Sequence, residues 1–227
     1  MGTLNYYAWG SHSEFYISGS DLHIYGFSYG DSDVDVQSIT DGYWISNPLF
    51  TELGFRTGDN ITAINEHEIV KFSDLRKHLL EAQLVSFERD GKPMTIEFPE
   101  DFLGQLSSSN NRTFFELRQP FIVGKVLETS PNSNQDLQQG DLLTGLDNKS
   151  LKYYDEFTAL ASDSKGKTLS ATILRDGKTL EKTLRIDDNG KFGIYNSLSS
   201  SVIETMGYYK IIENEYTFGE SVGVGFN

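Results

Sequence analysis

The stretch GDNITAIN at residues 58–65 returns as GDLLTGLD at residues 140–147. The two stretches share the glycine, the aspartate and the threonine, and they place apolar residues at the same positions. Gly-Asp followed by regularly spaced apolar residues predicts a tight turn that leads into a half-buried strand. The residues expected to face the core are Ile61, Ile64, Leu143 and Leu146.

The same register continues through the rest of both copies. FSDL at residues 72–75 corresponds to YDEF at residues 154–157. After a four-residue insertion, RDGK at residues 89–92 corresponds to RDGK at residues 175–178. Self-similarity that keeps one order over two copies is the sequence signature of repeated modules, so the chain is interpreted as a tandem duplication.

Each copy is predicted to fold as a strand, a short amphipathic helix and a β-hairpin. Ser73 and Asp155 are expected to be the N-cap residues of the two helices, because their side-chain oxygens can accept hydrogen bonds from the first turn. Asp-Gly between two strand-like runs, at residues 90–91 and 176–177, is a strong signal for a two-residue hairpin.

The domain boundaries follow from the composition between the copies. Residues 106–112 are rich in Ser and Asn, which is typical of a loop between domains. The predicted division is a lead-in at residues 1–28, a first domain at 29–104, a linker at 105–115, a second domain at 116–197 and a tail at 198–227.

Composition narrows the classes of function. The formal net charge is -14 at pH 7, which argues against nucleic acid as a partner because phosphate binding needs clustered Lys and Arg. The chain has no Cys, so disulfides, thiolate zinc sites and cysteine nucleophiles are excluded. Its four His residues are scattered, and neither a metal site nor a cofactor is expected in this chain.

A Gly-Asp turn and strand, a helix and an Arg-Asp-Gly-Lys hairpin resemble the pattern of bacterial PDZ domains. LGFRTGDNI at residues 53–61 is similar to the turn of that family, and the second copy resembles it through Pro131 and LQQGD at residues 137–141. The resemblance implies an α+β fold that is mainly β. It would consist of two tandem PDZ-like domains, each a small, partly open β-barrel or sandwich with one or two helices.

Two such modules followed by EYTFGES at residues 215–221 are similar to one family in particular, the bacterial site-2 proteases. The paired PDZ domains of these intramembrane zinc metalloproteases lie outside the membrane, between two transmembrane helices. The resemblance places the chain on the periplasmic face of the inner membrane, beside a flanking transmembrane domain that holds zinc in the parent protein. The aromatic stretch LNYYAW at residues 4–9 then corresponds to the exit from the preceding helix, and the tail leads to the next membrane segment.

The catalytic residues of that family are not found in this sequence. Its zinc site uses an H-E-x-x-H helix, but the His67-Glu68 pair is followed three residues after Glu68 by Lys71. The family's distant L-D-G motif is not matched either, because Leu146-Asp147 is followed by Asn148. We therefore expect no catalytic residue and no zinc in this chain, which would be a non-catalytic part of a zinc metalloendopeptidase.

PDZ domains bind an extended peptide by adding it to an exposed strand edge beside a helix. The grooves are expected beside the apolar strands at residues 43–45 and 121–126. The helix residues also face the predicted core, so part of them is expected only to pack. The predicted groove residues are Tyr43, Ile45, Phe72, Leu75, Leu79, Ile122, Gly124, Val126, Tyr154, Phe157 and Ala161.

Two classes of function stay open from the sequence. In the first, the chain is the regulatory domain of an intramembrane protease and either binds a membrane-tethered substrate such as an anti-sigma factor or excludes substrates that are too bulky. In the second, it is the peptide-binding PDZ pair of a soluble serine protease or an adaptor. Lys125 is the one basic residue on the predicted groove strands, so we expect a size filter with weak peptide binding, about 10⁻⁴ M or poorer.

Overall fold

The structure is a computed structural model that describes residues 15–17, 32–109, 113–198 and 200–213. Its helices are α1 (Pro48–Leu53), α2 (Phe72–Leu79), α3 (Phe102–Ser108), α4 (Tyr154–Ser162) and α5 (Ser200–Thr205), with a 3-10 turn at Val36–Ser38. Its strands are β1 (Phe15–Ile17), β2 (Ser32–Val34), β3 (Tyr43–Ile45), β4 (Asn60–Ile64), β5 (His67–Glu68), β6 (Leu84–Arg89), β7 (Lys92–Glu97), β8 (Phe115–Leu117), β9 (Phe121–Val126), β10 (Leu142–Leu146), β11 (Lys149–Ser150), β12 (Thr168–Arg175), β13 (Lys178–Arg185), β14 (Ile194–Leu198) and β15 (Ile211–Glu213). In these residues no helix has the length and apolar character needed to cross a bilayer.

The fold is α+β and mainly β, as predicted, and it contains two PDZ-like modules whose sheets stay open. We call residues 32–117 the first module and residues 121–198 the second module. The strand order β5-β4-β6-β7 of the first module repeats in the second as β11-β10-β12-β13. Even the irregularity repeats, because β4 and β10 each carry a bulge after their second residue. The duplication therefore reaches the level of individual hydrogen-bonded pairs.

A buried ion pair explains why Gly-Asp and Arg-Asp-Gly recur at matching places. The Asp59 carboxylate accepts two hydrogen bonds from the Arg89 guanidinium, each 2.7 Å long. Asp141 and Arg175 form the same pair in the second module, at 2.6 and 2.7 Å. Two parallel charge-assisted hydrogen bonds fix both distance and orientation. The first pair thus connects the turn before β4 to the end of β6, and the second connects the turn before β10 to the end of β12.

The two predicted hairpins are present. Asp90 and Gly91 have φ angles of 53° and 71°, and Asp176 and Gly177 have φ angles of 50° and 73°. Two consecutive residues with positive φ form the turn whose twist matches that of the flanking strands. Gly and Asp tolerate this conformation better than most residues do, so the Asp-Gly pairs alone were enough to predict the two turns.

Each module has its own aromatic core. The Phe50 ring is fully buried in the first module, and its nearest aromatic neighbour is Phe115, with the ring centres 5.0 Å apart. The Phe121 ring takes this place in the second module, 4.9 Å from Tyr154. Residues of the predicted tail also enter the first core, where Ile203 is fully buried. The chain after β14 therefore packs on the first module, and β15 pairs with β2 there.

The predicted helix caps were wrong by two residues. Both helices begin one residue before the expected caps, at Phe72 and Tyr154. The backbone N–H of the residue before each helix is bound by a carboxylate of the first turn, Asp74 in α2 and Glu156 in α4. Ser73 could not act as a cap because its hydroxyl donates to the buried Asp33 carboxylate.

The second expected cap, Asp155, serves the junction between the modules instead. Its carboxylate accepts a 2.8 Å hydrogen bond from the Arg118 guanidinium, which lies in the short link from β8 to β9. The same guanidinium lies 4.0 Å from the centre of the Tyr153 ring. A second contact joins Lys152 to Asp41 at 2.6 Å. These contacts fix the start of α4 relative to the first module.

Candidate functional site

The predicted groove strand of the first module has no vacant edge. One edge of β3 pairs with β8, in the register Tyr43 to Leu117 and Ile45 to Phe115. On the other edge the Tyr43 N–H donates to the Asp59 carbonyl at 3.0 Å. A peptide could add to β3 only by displacing β8, so the assignment of Tyr43 and Ile45 to a groove stays a prediction that this arrangement does not favour.

The predicted groove strand of the second module is flanked in the same way. Ile122 in β9 pairs with Leu142 in β10, and Val126 pairs with Ile194 in β14. Gly124 packs against β14, because a Cβ on it would lie 2.7 Å from the Ser197 Cβ. The strand that borders open space beside α4 is therefore β14 and not β9.

The predicted helix residues divide between packing and a cleft. Tyr154 lines the cleft described below. The others are buried members of the two cores: Phe72, Leu75, Leu79, Phe157 and Ala161.

A cleft of about 370 Å³ lies between α4 and β14 in the second module. One wall is formed by helix residues spaced one turn apart, Tyr154, Thr158 and Ser162. The other wall and the closed end are formed by the loop and strand at residues 189–195, and Leu127 completes the lining. A strand edge that faces a helix across such a cleft is the geometry that accepts an extended peptide.

Two buried side chains hold the loop at the closed end. The Phe192 carbonyl oxygen accepts hydrogen bonds from the Ser130 hydroxyl at 2.9 Å and from the Asn132 amide at 2.8 Å. Gly193 follows with a φ of 65°, and a Cβ there would lie 2.6 Å from the Ser130 Oγ. The close approach of Ser130 therefore requires glycine at this position.

Two successive N–H groups of this loop have no hydrogen-bond partner among the described residues. The Phe192 carbonyl and the Gly193 N–H belong to one trans peptide unit, so the N–H points away from Ser130 and Asn132. Within the described residues, neither the Phe192 N–H nor the Gly193 N–H makes a hydrogen bond. Successive N–H groups exposed in a turn form a concave binding site for an anion such as a carboxylate.

Polar side chains at the same cleft add to this anion site. The Lys191 ammonium forms no ion pair in the part of the chain that the structure describes. Burial raises the pKa of the Tyr154 hydroxyl, which therefore stays protonated and can donate a hydrogen bond. The closed end thus offers hydrogen-bond donors and a positive charge, beside the buried apolar side chains of Phe192 and Ile194.

The strand beyond the loop is partly covered. The Gly193 carbonyl accepts from the Leu127 N–H, so by the alternation of an antiparallel ladder the polar backbone groups of Ile194 point away from β9. Further along, β1 pairs with β14 opposite residues 196–198. The vacant edge therefore extends over about three residues, from Gly193 to Tyr195.

The first module has the same kind of hydrogen bond from an Asn side chain to a loop carbonyl, but the connection between its last two strands is different. The Asn47 amide donates to the Thr113 carbonyl at 2.8 Å, as Asn132 does to Phe192. In the second module the eight residues 186–193 connect β13 to β14 without a helix, whereas helix α3 lies between β7 and β8. The two modules therefore share a scaffold and differ at the place where the second one has its anion site.

Sequence reasoning missed the strand that lines the cleft of the second module. Nothing local in residues 194–198 indicates that they form β14 and pair with β9. Thr158 and Ser162 follow Tyr154 at intervals of four residues, so a search for one helix face with hydroxyl groups would have found them. The N–H groups of Phe192 and Gly193 leave no signal in the sequence.

The histidines of the described residues lie close together only as the pair His67 and His78. The His67 and His78 rings stack with their centres 4.4 Å apart. Where the structure describes the chain, no cluster of three or more His, Asp or Glu side chains could hold a metal ion. The two segments that carry the resemblance to the membrane flanks, at residues 4–9 and 215–221, lie outside the described residues.

Comparison with known proteins gives similarities to solved PDZ domains, and no protein-family model matches the chain. The PDZ domain of the SdrC-like protein from Listeria monocytogenes is 21% identical, covers 37% of this chain and 90% of its own, and has a TM-score of 0.29. The PDZ domain of the SdrC-like protein from Listeria innocua is 29% identical, with coverages of 36% and 93% and a TM-score of 0.30. The second domain of that Listeria innocua protein is 23% identical, with coverages of 45% and 88% and a TM-score of 0.26.

Proposed function

We propose that the chain is the regulatory, extracytoplasmic PDZ tandem of an intramembrane zinc metalloprotease, and that its second module captures the C-terminal end of a cut, membrane-tethered protein substrate. The observation that carries the capture step is the pair of N–H groups at Phe192 and Gly193, which have no partner among the described residues and lie at the closed end of the cleft. The protease context rests on the resemblance of the tandem and its flanks to site-2 proteases. The substrate would be a protein, because a net charge of -14 disfavours nucleic acid.

The captured peptide would lie antiparallel to β14. Its terminal carboxylate accepts hydrogen bonds from the two N–H groups at the loop and lies near the Lys191 ammonium. Its last side chain packs on the apolar wall formed by Leu127, Phe192 and Ile194. Further backbone hydrogen bonds to Ile194 extend the sheet by one short strand.

The short vacant edge limits the affinity. β1 covers residues 196–198, so only about three peptide residues can pair with β14. We expect a dissociation constant on the order of 10⁻⁵ to 10⁻⁴ M, which corresponds to roughly 5 to 7 kcal/mol. Such weak binding suits a substrate tethered to the same membrane, because tethering raises its effective concentration.

Calorimetric titration with matched peptides tests the capture step. A tetrapeptide with an apolar last residue and a free carboxylate should bind, and its C-terminally amidated form should bind at least about tenfold more weakly. Lys191→Met should weaken the carboxylate form and leave the amide form unchanged, whereas Lys149→Met, an exposed lysine on β11, should change neither. Equal binding of both peptide forms would contradict the proposal.

A size filter over the membrane-buried site is the second candidate. It is favoured by the first module, in which β8 covers one edge of β3 and leaves no room for strand addition there. In a full-length protease, deletion of both modules should then allow cleavage of substrates with intact outer domains. If Lys191→Met also releases such cleavage, peptide capture and filtering are one process; if it does not, filtering is steric.

A further inference from the structure

The first module has a groove of its own beyond the C-terminal end of α2. It has a volume of about 740 Å³ and lies between the segment that follows α2 and the start of α3. Its floor is made by Phe98 and Phe102, whose ring centres are 4.5 Å apart. Its sides carry Leu80 and Leu103, which are 54% and 43% exposed. Large apolar side chains that border a concave surface in this way favour contact with another apolar group.

The rim of this groove is acidic. Glu81, Glu97 and Glu100 line it, and all three are exposed. None of these carboxylates forms an ion pair with another described residue. The corresponding end of the second module has Lys191 at the cleft, together with the Asp187 carboxylate, which accepts a hydrogen bond from the Lys191 N–H.

We propose that this groove is a docking site for a basic protein segment in which leucine-like side chains are flanked by Lys or Arg. The apolar side chains would contact Leu80 and Leu103, and the cations would pair with the three carboxylates. Charge complementarity of this kind sets specificity and the association rate. Anionic lipid and phosphate ligands do not fit, because the rim would repel them.

The occupant comes from outside this sequence. Residues 1–14, 18–31 and 214–227 contain neither Lys nor Arg, and residues 110–112 contain a single Arg. These segments cannot supply a cluster of cations to the groove. The proposal is independent of peptide capture at the second module, since it uses different residues and a ligand of opposite charge.

The test uses a fluorescent, N-acetylated and C-amidated peptide, Lys-Lys-Leu-Leu-Lys-Lys, with binding followed by anisotropy. The amidated end cannot use the anion site of the second module, so failure here leaves the capture proposal untouched. We expect saturable binding that weakens as NaCl is raised from low to physiological concentration, because exposed charges are screened. The variants Lys-Lys-Ser-Ser-Lys-Lys and Glu-Glu-Leu-Leu-Glu-Glu should bind at least about tenfold more weakly.

Protein variants separate the groove from general attraction to an acidic protein. The pair Glu97→Gln and Glu100→Gln should weaken binding by about fivefold or more, and Leu103→Ser should do so at unchanged net charge. The matched control, Glu88→Gln with Glu128→Gln, removes two exposed carboxylates outside the groove and should have no more than a twofold effect. Equal losses in the two double variants, or tight binding of the serine peptide, would overturn the proposal.

Discussion

The Asn132 side chain joins the Phe192 carbonyl to strand β13. Its amide nitrogen donates to the Phe192 and Arg185 carbonyls, 2.8 Å in each case, and its amide oxygen accepts from the Arg185 N–H at 2.8 Å. One fully buried amide therefore sets the orientation of the loop that closes the cleft. In the proposed peptide complex, the orientation of the loop N–H groups therefore depends on a residue that does not touch the peptide.

Asn132→Ala should therefore reduce both stability and peptide binding. It leaves the Phe192 carbonyl and the backbone N–H and carbonyl of Arg185 without this partner, which should cost about 2–4 kcal/mol of the free energy of unfolding. Urea denaturation measures the loss of stability, and titration with the free-carboxylate peptide measures whether the loop still binds the carboxylate. Asn47→Ala is the matched control in the first module: it should destabilise the chain yet leave peptide affinity unchanged. Intact affinity in the folded Asn132 variant would contradict the role assigned to this side chain.

Gly193→Ala should be more harmful than Gly91→Ala in the hairpin turn of the first module. Its Cβ would meet the Ser130 Oγ at 2.6 Å, in addition to the cost of a positive φ. We expect a loss of about 2–4 kcal/mol, against about 1 kcal/mol for Gly91→Ala, where φ is also positive but the space is open. Thermal unfolding of the two variants compares them directly. Ser130→Gly should relieve part of the clash in the first variant.

Glu116 should make stability depend on pH. The side chain is 4% exposed, and burial raises the pKa of its carboxyl to about 7 from an ordinary value of 4.5, although the Ser46 hydroxyl donates to it and opposes the shift. Asp155 raises this pKa further. Because the folded chain holds this proton more tightly than the unfolded chain does, stability should fall as pH rises from about 4.5 to 7 and then level off.

The size of this effect is at most about 3 kcal/mol. Glu116→Gln should abolish this part of the pH dependence and should be more stable than the parent chain at pH 8. Urea denaturation at several pH values measures it, with Glu128→Gln, an exposed carboxylate, as the control. If the stability of the parent chain instead rises between about pH 4.5 and 7, and the Glu116→Gln variant behaves in the same way, the Glu116 carboxyl is not a buried acid.

Breaking either buried ion pair should destabilise its own module. Arg175→Met leaves the buried Asp141 carboxylate without its guanidinium partner and should lower the free energy of unfolding, and Arg89→Met should do the same at Asp59. Hydrogen exchange can assign each loss to one module. Changing Asp and Arg together to apolar residues should cost less than the Arg change alone. Additive losses in that double variant would show that the pair is not coupled.

Peptide length should have little effect on affinity at the cleft. Because β1 covers residues 196–198 of β14, a hexapeptide should bind no more than about threefold better than a tripeptide with the same C-terminus. Tyr16→Pro removes an N–H from β1 and should make that edge available, so that the longer peptide gains affinity. A steady gain with length in the unmodified chain would show that β1 does not block the edge.

The sequence alone determined the features that depend on residue type over a few positions. The Asp-Gly hairpins require positive φ at two adjacent residues, and the recurring Gly-Asp and Arg-Asp-Gly segments contain the partners of one ion pair in each module. Alternating apolar residues identified core positions such as Ile61 and Leu143. The helix caps were missed by two residues, and the side chains expected to form them, Ser73 and Asp155, bind partners far along the chain.

Only the tertiary structure decided where the cleft lies. Pairing of β14 with β9 brings Ile194 opposite Val126, so the strand beside α4 comes from the end of the module and not from its beginning. Ser130 and Asn132 bind the Phe192 carbonyl and so orient the Gly193 N–H of the same peptide unit, and the Asp187 N–H binds the Lys191 carbonyl and so orients the Phe192 N–H; neither N–H has a partner among the described residues. Backbone donors carry no sequence label, and their availability depends on contacts between segments distant in the chain, which local patterns do not encode.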